Sequence, residues 1–207
     1  MAVSGDIVKR PNIEYSVPKP DRIRINVSYM RQYNGDPEFN AHNKNACAIA
    51  CVGMVADFDG RSYSLDELRA MVPLNDSVQP TMREEIARLA GALGYEATFL
   101  ANGSAIVGNG DAEVRDWTKT ERIADVRYTA TRLMHRNGKG RITAQGLLEQ
   151  RRRPVIIGKG GHAVLLVGVD GENRPLVHDP AIGAYLWYGT PAHGSGRPSD
   201  IIILERV

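Results

Sequence analysis

Asn45-Ala46-Cys47-Ala48-Ile49-Ala50-Cys51-Val52-Gly53-Met54 sets a cysteine where a polar loop turns into an apolar helix. Cys47, Ala50, Cys51, Met54, Val55 and Phe58 fall at helical spacing on one stripe, and Gly60 follows as a stop. A helix is therefore predicted from about Ala46 to Phe58. Cys47 lies in its first turn, where unpaired N–H groups and the positive end of the dipole favour thiolate over thiol. Most free cysteines are small core hydrophobes. Cys51, one turn deeper between Ala50 and Val52, is assigned that role. The rigid helix backbone resists a disulfide between the two, so both are read as free thiols.

Upstream of this helix, Ile23, Ile25, Val27 and Tyr29 alternate with polar residues and read as a strand with one buried face. Residues 1–20 carry Pro11, Pro18 and Pro20 and read as an extended arm ahead of one domain spanning 21–207. Downstream, Ser64-Leu65-Asp66-Glu67 and Thr81-Met82-Arg83-Glu84 are capping boxes, each opening a helix. Pro73 ends the first and Gly94 the second. Tyr95 to Leu100 is a short strand. Residues 101–140 are rich in glycine and charge, with a helix read near Val126 to Met134 and another over Thr143 to Gln150.

The pattern then changes. Val155-Ile156-Ile157, His162 to Val169, Leu176-Val177-His178, Tyr185 to Tyr188 and Ile201 to Leu204 are apolar, β-branched or aromatic runs separated by glycine, proline and an Asp170-Gly171 turn. Helices followed by an antiparallel sheet make an α+β chain.

These runs also carry chemistry. His162 opens the most apolar strand after Gly158-Lys159-Gly160-Gly161, so its imidazole stands at a strand mouth. If 162–169 and 175–179 pair as a hairpin, Asp179 ends near His162 and can fix the tautomer that takes a thiol proton. His178 alternates to the other face and is the poorer base. An oxyanion hole needs a donor besides the Cys47 N–H. Gln32 is the candidate, with Asn40, Asn43 and Asn45 as rivals.

Composition narrows the partners. At 207 residues, 43% hydrophobic and 24% charged, the chain has enough apolar residues for a proper core. The net charge of +2 and a single dense basic run, Arg151-Arg152-Arg153, give no footprint for nucleic acid. No stretch nears the ~20 apolar residues of a membrane span. Residues 1–20 lack the apolar core of a signal peptide, so the expectation is a chain cytoplasmic as synthesised, with any delivery non-classical. His42, Cys47 and Cys51 fall short of a structural zinc set, so no metal or cofactor is expected.

At these residues the sequence resembles the C39-like branch of papain-like cysteine peptidases, which includes bacteriocin-leader peptidase domains and stand-alone bacterial and phage relatives. The match runs through Gln32, Cys47, Ala50, Met54, Ser64 to Arg69, Leu93-Gly94-Tyr95, Arg153 to Ile156, Gly161 to Gly168 and Asp179 to Gly183. The resemblance implies a papain-like fold and a Cys47-His162-Asp179 triad with Gln32 in the oxyanion hole. Ala48 and Ile49 depart from it, standing where the family has Gly-Pro.

The function expected is a cysteine endopeptidase. Its substrate is expected among peptidoglycan cross-bridges, as for a phage or virion-associated enzyme. The rival is an idle papain-like module that docks into a phage tail or secretion assembly through residues 1–20.

Overall fold

The structure, a computed structural model, describes residues 21–33, 36, 46–72, 82–101, 112–123, 126–135, 144–159, 162–172, 174–188 and 200–207. In chain order the elements are β1 (Asp21–Arg24), α1 (Cys47–Phe58), α2 (Leu65–Ala70), α3 (Met82–Ala92), β2 (Tyr95–Ala101), β3 (Ala112–Ile123) and β4 (Val126–His135). There follow α4 (Ala144–Arg151), β5 (Val155–Lys159), β6 (His162–Asp170), β7 (Pro175–Asp179), β8 (Gly183–Trp187) and β9 (Asp200–Arg206). The strands form one nine-stranded sheet in the order β3-β4-β2-β9-β5-β6-β7-β8, with β1 paired to β6. The architecture is α+β, as the sequence predicts. The proposed arm, residues 1–20, lies outside the described residues, as do Pro73 and Thr81.

Among the described residues every strand pairing is antiparallel except that of β2 with β4, which is parallel. Val126 to Met134, expected as a helix, is strand β4, hydrogen-bonded to β2 on one side and β3 on the other. Its Val126, Tyr128, Thr129 and Thr131 are β-branched or aromatic, and the open edge of β2 gives that preference a ladder to join. The strand expected over Ile23 to Tyr29 is also corrected. Pairing ends at Arg24, with one further bond from the Ile25 N–H to the Val167 carbonyl. β5 begins opposite Leu166 and takes over the edge of β6 that β1 leaves.

Alternation along the central strands explains their unbroken apolar runs. Ile156, Ala163, Leu165, Val167, Ile202 and Leu204 join a core with α1, α2 and α3. Val155, Ile157, Val164, Leu166, Ile201 and Ile203 pack with Ala144, Leu147 and Leu148 of α4. Both faces of these central strands are therefore covered, and a strand covered on both faces has no polar alternate positions.

α1 is buried more fully than a one-stripe helix. All of Cys47 to Ala56 is buried, so the helix is apolar all round because protein surrounds it. Its C-terminus closes on Gly60 in the left-handed region at φ +80°: the Gly60 N–H reaches the Asp57 carbonyl and the Arg61 N–H that of Ala56. Asp59 pins that end, accepting from Arg153 Nη2 and from the Tyr95 hydroxyl, both at 2.7 Å. Ser64 and Glu67 form the reciprocal capping box on α2.

The β6–β7 hairpin turn is held by Asp170, whose carboxylate accepts from the N–H groups of Glu172 and Arg174 at 2.9 Å and from Arg174 Nε at 2.7 Å. Where β1 crosses β6, Gly168 leaves no room for a side chain: a Cβ there would stand 2.6 Å from the Ile23 carbonyl oxygen. Backbone cannot yield as a side chain does. Gly168→Ala is expected to destabilise the protein by about 1–3 kcal/mol in urea unfolding and to expose the Ile25 amide to exchange. Parent-like stability and protection in this variant would show that β1 is not seated on β6.

Candidate active site

Cys47 is the first residue of α1, and Ala46, the residue before it, offers no side-chain cap. No acidic residue sits in the first turn, so nothing negative competes for its N–H groups. Ala48 and Ile49, the departures from the Gly-Pro pattern, continue the helix without a break and are buried. Cys47 Sγ accepts the Ala163 N–H at 3.4 Å, which ties the sulfur to the start of β6.

His162 is the residue before Ala163. Its Nε2 lies 2.9 Å from Asp179 Oδ1, and the Cys47 side chain is near enough to favour the charged ring. With Nε2 committed to the carboxylate, Nδ1 is the nitrogen left for the sulfur. Burial alone works against the imidazolium. The hydrogen bond to Asp179, the nearby Cys47 and the negative charge of both outweigh it, and carry the His162 pKa up to about 10. The ring keeps one side open to solvent, with 36% of the side chain exposed, whereas Asp179 is fully buried.

Asp179 ends β7 and is held in place by a tight turn. Its Oδ1 also accepts the Ala181 N–H at 2.9 Å, and its carbonyl accepts the Ile182 N–H at 3.0 Å. Antiparallel pairing sets Leu165 opposite His178, so Asp179 falls one step further along and diagonal to His162. The hairpin expected from the sequence thus brings the two side chains together.

Gln32 is buried and joins the group through the backbone: its N–H donates to the Pro180 carbonyl at 2.8 Å. Its side-chain amide donates to the Tyr33 hydroxyl at 3.3 Å. The rivals Asn40, Asn43 and Asn45 lie outside the described residues. Tyr29, which the sequence reading treats only as an apolar strand position, bonds the same turn. Its hydroxyl donates to the Asp179 carbonyl at 2.8 Å and lies 3.2 Å from that of Pro180. Burial pushes its pKa up to about 12, against the pull of Arg31, so it remains a donor. The signal was available: a tyrosine at the inward phase of an alternating run needs an acceptor for its hydroxyl.

The remaining candidates separate cleanly. Cys51 is fully buried, and burial, with the negative charge of Cys47 and Asp179, pushes its thiol well above the usual range. It is the core cysteine expected. His178 takes part in no contact with Cys47 among those described; its ring is bonded to Val27 and Tyr185. Among the described residues no group of His, Cys, Asp and Glu side chains is arranged to hold a metal ion, and no helix is long and apolar enough to cross a membrane.

This arrangement sets a thiol against an imidazole that a buried carboxylate holds by its far nitrogen, a layout suited to nucleophilic attack by the sulfur. A comparison with curated proteins finds no match. Among solved structures, the chain is similar to the peptidase domain of Streptococcus ComA, a bifunctional ABC transporter involved in a quorum-sensing pathway. That likeness has a TM-score of 0.49 and 15% identity, over 88% of this chain and all of that domain. Residues 24–189 match the model of the Peptidase_C39 like family. That match spans most of the chain and every residue of the site just described. The chain belongs to the Peptidase_C39 like family.

Proposed function

We propose that the protein is a cysteine endopeptidase with Cys47 as nucleophile, His162 as general base and acid, Asp179 as the group that orients His162, and Gln32 as an oxyanion donor. The observation that carries this reading is the pair of bonds at the start of β6: the Ala163 N–H to Cys47 Sγ, and the neighbouring His162 ring to Asp179 Oδ1. His162 takes the thiol proton, and the thiolate attacks the carbonyl carbon of a peptide bond. The oxyanion that forms is held by the Cys47 N–H and the Gln32 amide. The imidazolium then gives its proton to the departing amine. Water, deprotonated by His162, hydrolyses the thioester and restores the thiol. Asp179 keeps its charge throughout and stabilises the imidazolium.

The substrate class proposed is the peptide cross-bridge of peptidoglycan, with residues 1–20 docking the chain on a phage particle or secretion assembly. Purified muropeptides and a soluble peptide library should therefore be tested side by side. Cleavage by the parent chain and none by Cys47→Ala is expected. Cleavage of the library alone would remove the cell wall as substrate, and equal cleavage by both chains would remove Cys47 as nucleophile.

Thiol chemistry gives a second reading of the same site. Iodoacetamide should label Cys47 stoichiometrically near neutral pH and fail to do so in His162→Ala. Asp179→Asn should lower kcat by roughly 10²–10⁴-fold, because an amide cannot stabilise the imidazolium. Labelling of the parent no faster than a free thiol would favour the idle module.

The raised pKa of His162 also makes a stability prediction. Its folded value of about 10 exceeds the ordinary 6.5, so between these the native state binds more proton than the unfolded chain. The stabilisation is fully present below pH 6.5 and is lost as pH rises through about 10. The difference in unfolding free energy between the parent and His162→Ala should fall across that window. A difference that stays flat with pH would mean that the imidazolium is not held in the folded state.

A further inference from the structure

His178 is fully buried beside the site, and the peptidase reading gives it no task. Both ring nitrogens are nevertheless engaged. Nε2 lies 3.1 Å from the Val27 carbonyl, and Nδ1 lies 3.1 Å from the Tyr185 N–H. A carbonyl can only accept and an N–H can only donate, so these partners fix the neutral tautomer with its hydrogen on Nε2. Tyr29 and Tyr185 meet the ring edge-on, at 5.7 Å and 4.4 Å between centroids. Tyr185 holds φ +53°, a left-handed conformation that a side-chain-bearing residue keeps only where its surroundings impose it. The Arg24 guanidinium lies over the Tyr185 ring at 3.7 Å from its centroid.

We propose that His178 is a positioning residue: it clamps the Val27–Gln32 segment to the β7–β8 corner and so sets where Gln32 stands relative to Asp179 and Cys47. The role rests on the peptidase reading above, since it is Gln32 that the clamp serves. Bonds from Val27 to His178, from the Tyr29 hydroxyl to the Asp179 and Pro180 carbonyls, and from the Gln32 N–H to the Pro180 carbonyl tie that segment to the corner. His178 also joins it to β8, through the Tyr185 N–H.

Acid should open the clamp, because a proton on Nδ1 would face the Tyr185 N–H. The groups around the ring oppose that proton overall. Burial pushes the His178 pKa down to about 4; the Val27 carbonyl works the other way, and the charge of Arg24 from β1 adds to burial. The Tyr29 and Tyr185 rings are uncharged, and the Asp179 carboxylate is engaged with His162.

The test uses the full chain. Long-range ¹H–¹⁵N spectra of the parent should show His178 protonated on Nε2 only, at pH 7 and still at pH 5.5; a charged ring or the other tautomer at either pH overturns the proposal. In His178→Phe, the Gln32 and Tyr185 amides should exchange faster while those of β5 and β6 keep their protection. His178→Gln, whose amide reaches the Val27 carbonyl, should restore Gln32 protection, and His178→Asn should not. For a library peptide cleaved by the parent, kcat of His178→Phe should fall about a hundredfold with KM little changed and Cys47 still labelled by iodoacetamide. Unchanged Gln32 exchange or unchanged kcat sinks the clamp. Should the parent cleave nothing, the peptidase reading fails on its own, and the ring spectra and amide exchange still decide whether His178 holds the segment.

Discussion

The hydrogen bond between His162 and Asp179 depends on strand register. Leu165 opposite His178 is the pairing that sets Asp179 diagonal to His162. A slip of one residue along either strand would send one of the two side chains to the other face. Asp170 guards against that slip at the turn, because its carboxylate binds both N–H groups that define the loop length. At the opposite end, the Asp179 carboxylate caps its own turn through Ala181. The imidazole and its carboxylate are thus positioned by the two ends of one hairpin.

The sulfur is positioned by different means. α1 is sunk in the core over ten residues, so its axis can shift only if the whole layer of α1, α2 and α3 shifts. One end is fixed by Asp59 and its two partners, the other by the bond from the Ala163 N–H to Cys47 Sγ. A close-packed interior transmits such constraints because it has few voids to absorb movement. This matters for nucleophilic chemistry, where a thiol ångströms out of place is only a buried cysteine.

The C-terminal strands, the hairpin, the α2 capping box and the order of cysteine, histidine and carboxylate were all legible. Each rests on a local signal: an apolar run, a turn residue or a cap. What escaped is non-local. Val126 to His135 becomes a strand because β2 offers an edge, and nothing in those residues announces a parallel partner in another part of the sequence. The strand read to Tyr29 stops early because β5 claims the same edge of β6. The all-round burial of α1 hides behind a stripe pattern that fits a half-exposed helix equally well. At the site, Tyr29 read as an apolar position and His178 as a poor base. Their partners are the backbone carbonyls and N–H groups of distant residues, which no side-chain pattern reveals.

The place of β9 has a bearing on how the chain assembles. It lies between β2 and β5, and pairs Ala97 with Leu204 on one side and Ile156 with Ile202 on the other. Without it the sheet would divide into two halves, each with an apolar open edge of the kind that recruits other chains. Contacts between residues so remote in sequence form late, after a large entropic cost of loop closure. A chain in which β9 has not yet inserted would thus present two sticky borders at once. Cellular factors that shield such borders would act before β9 takes its place.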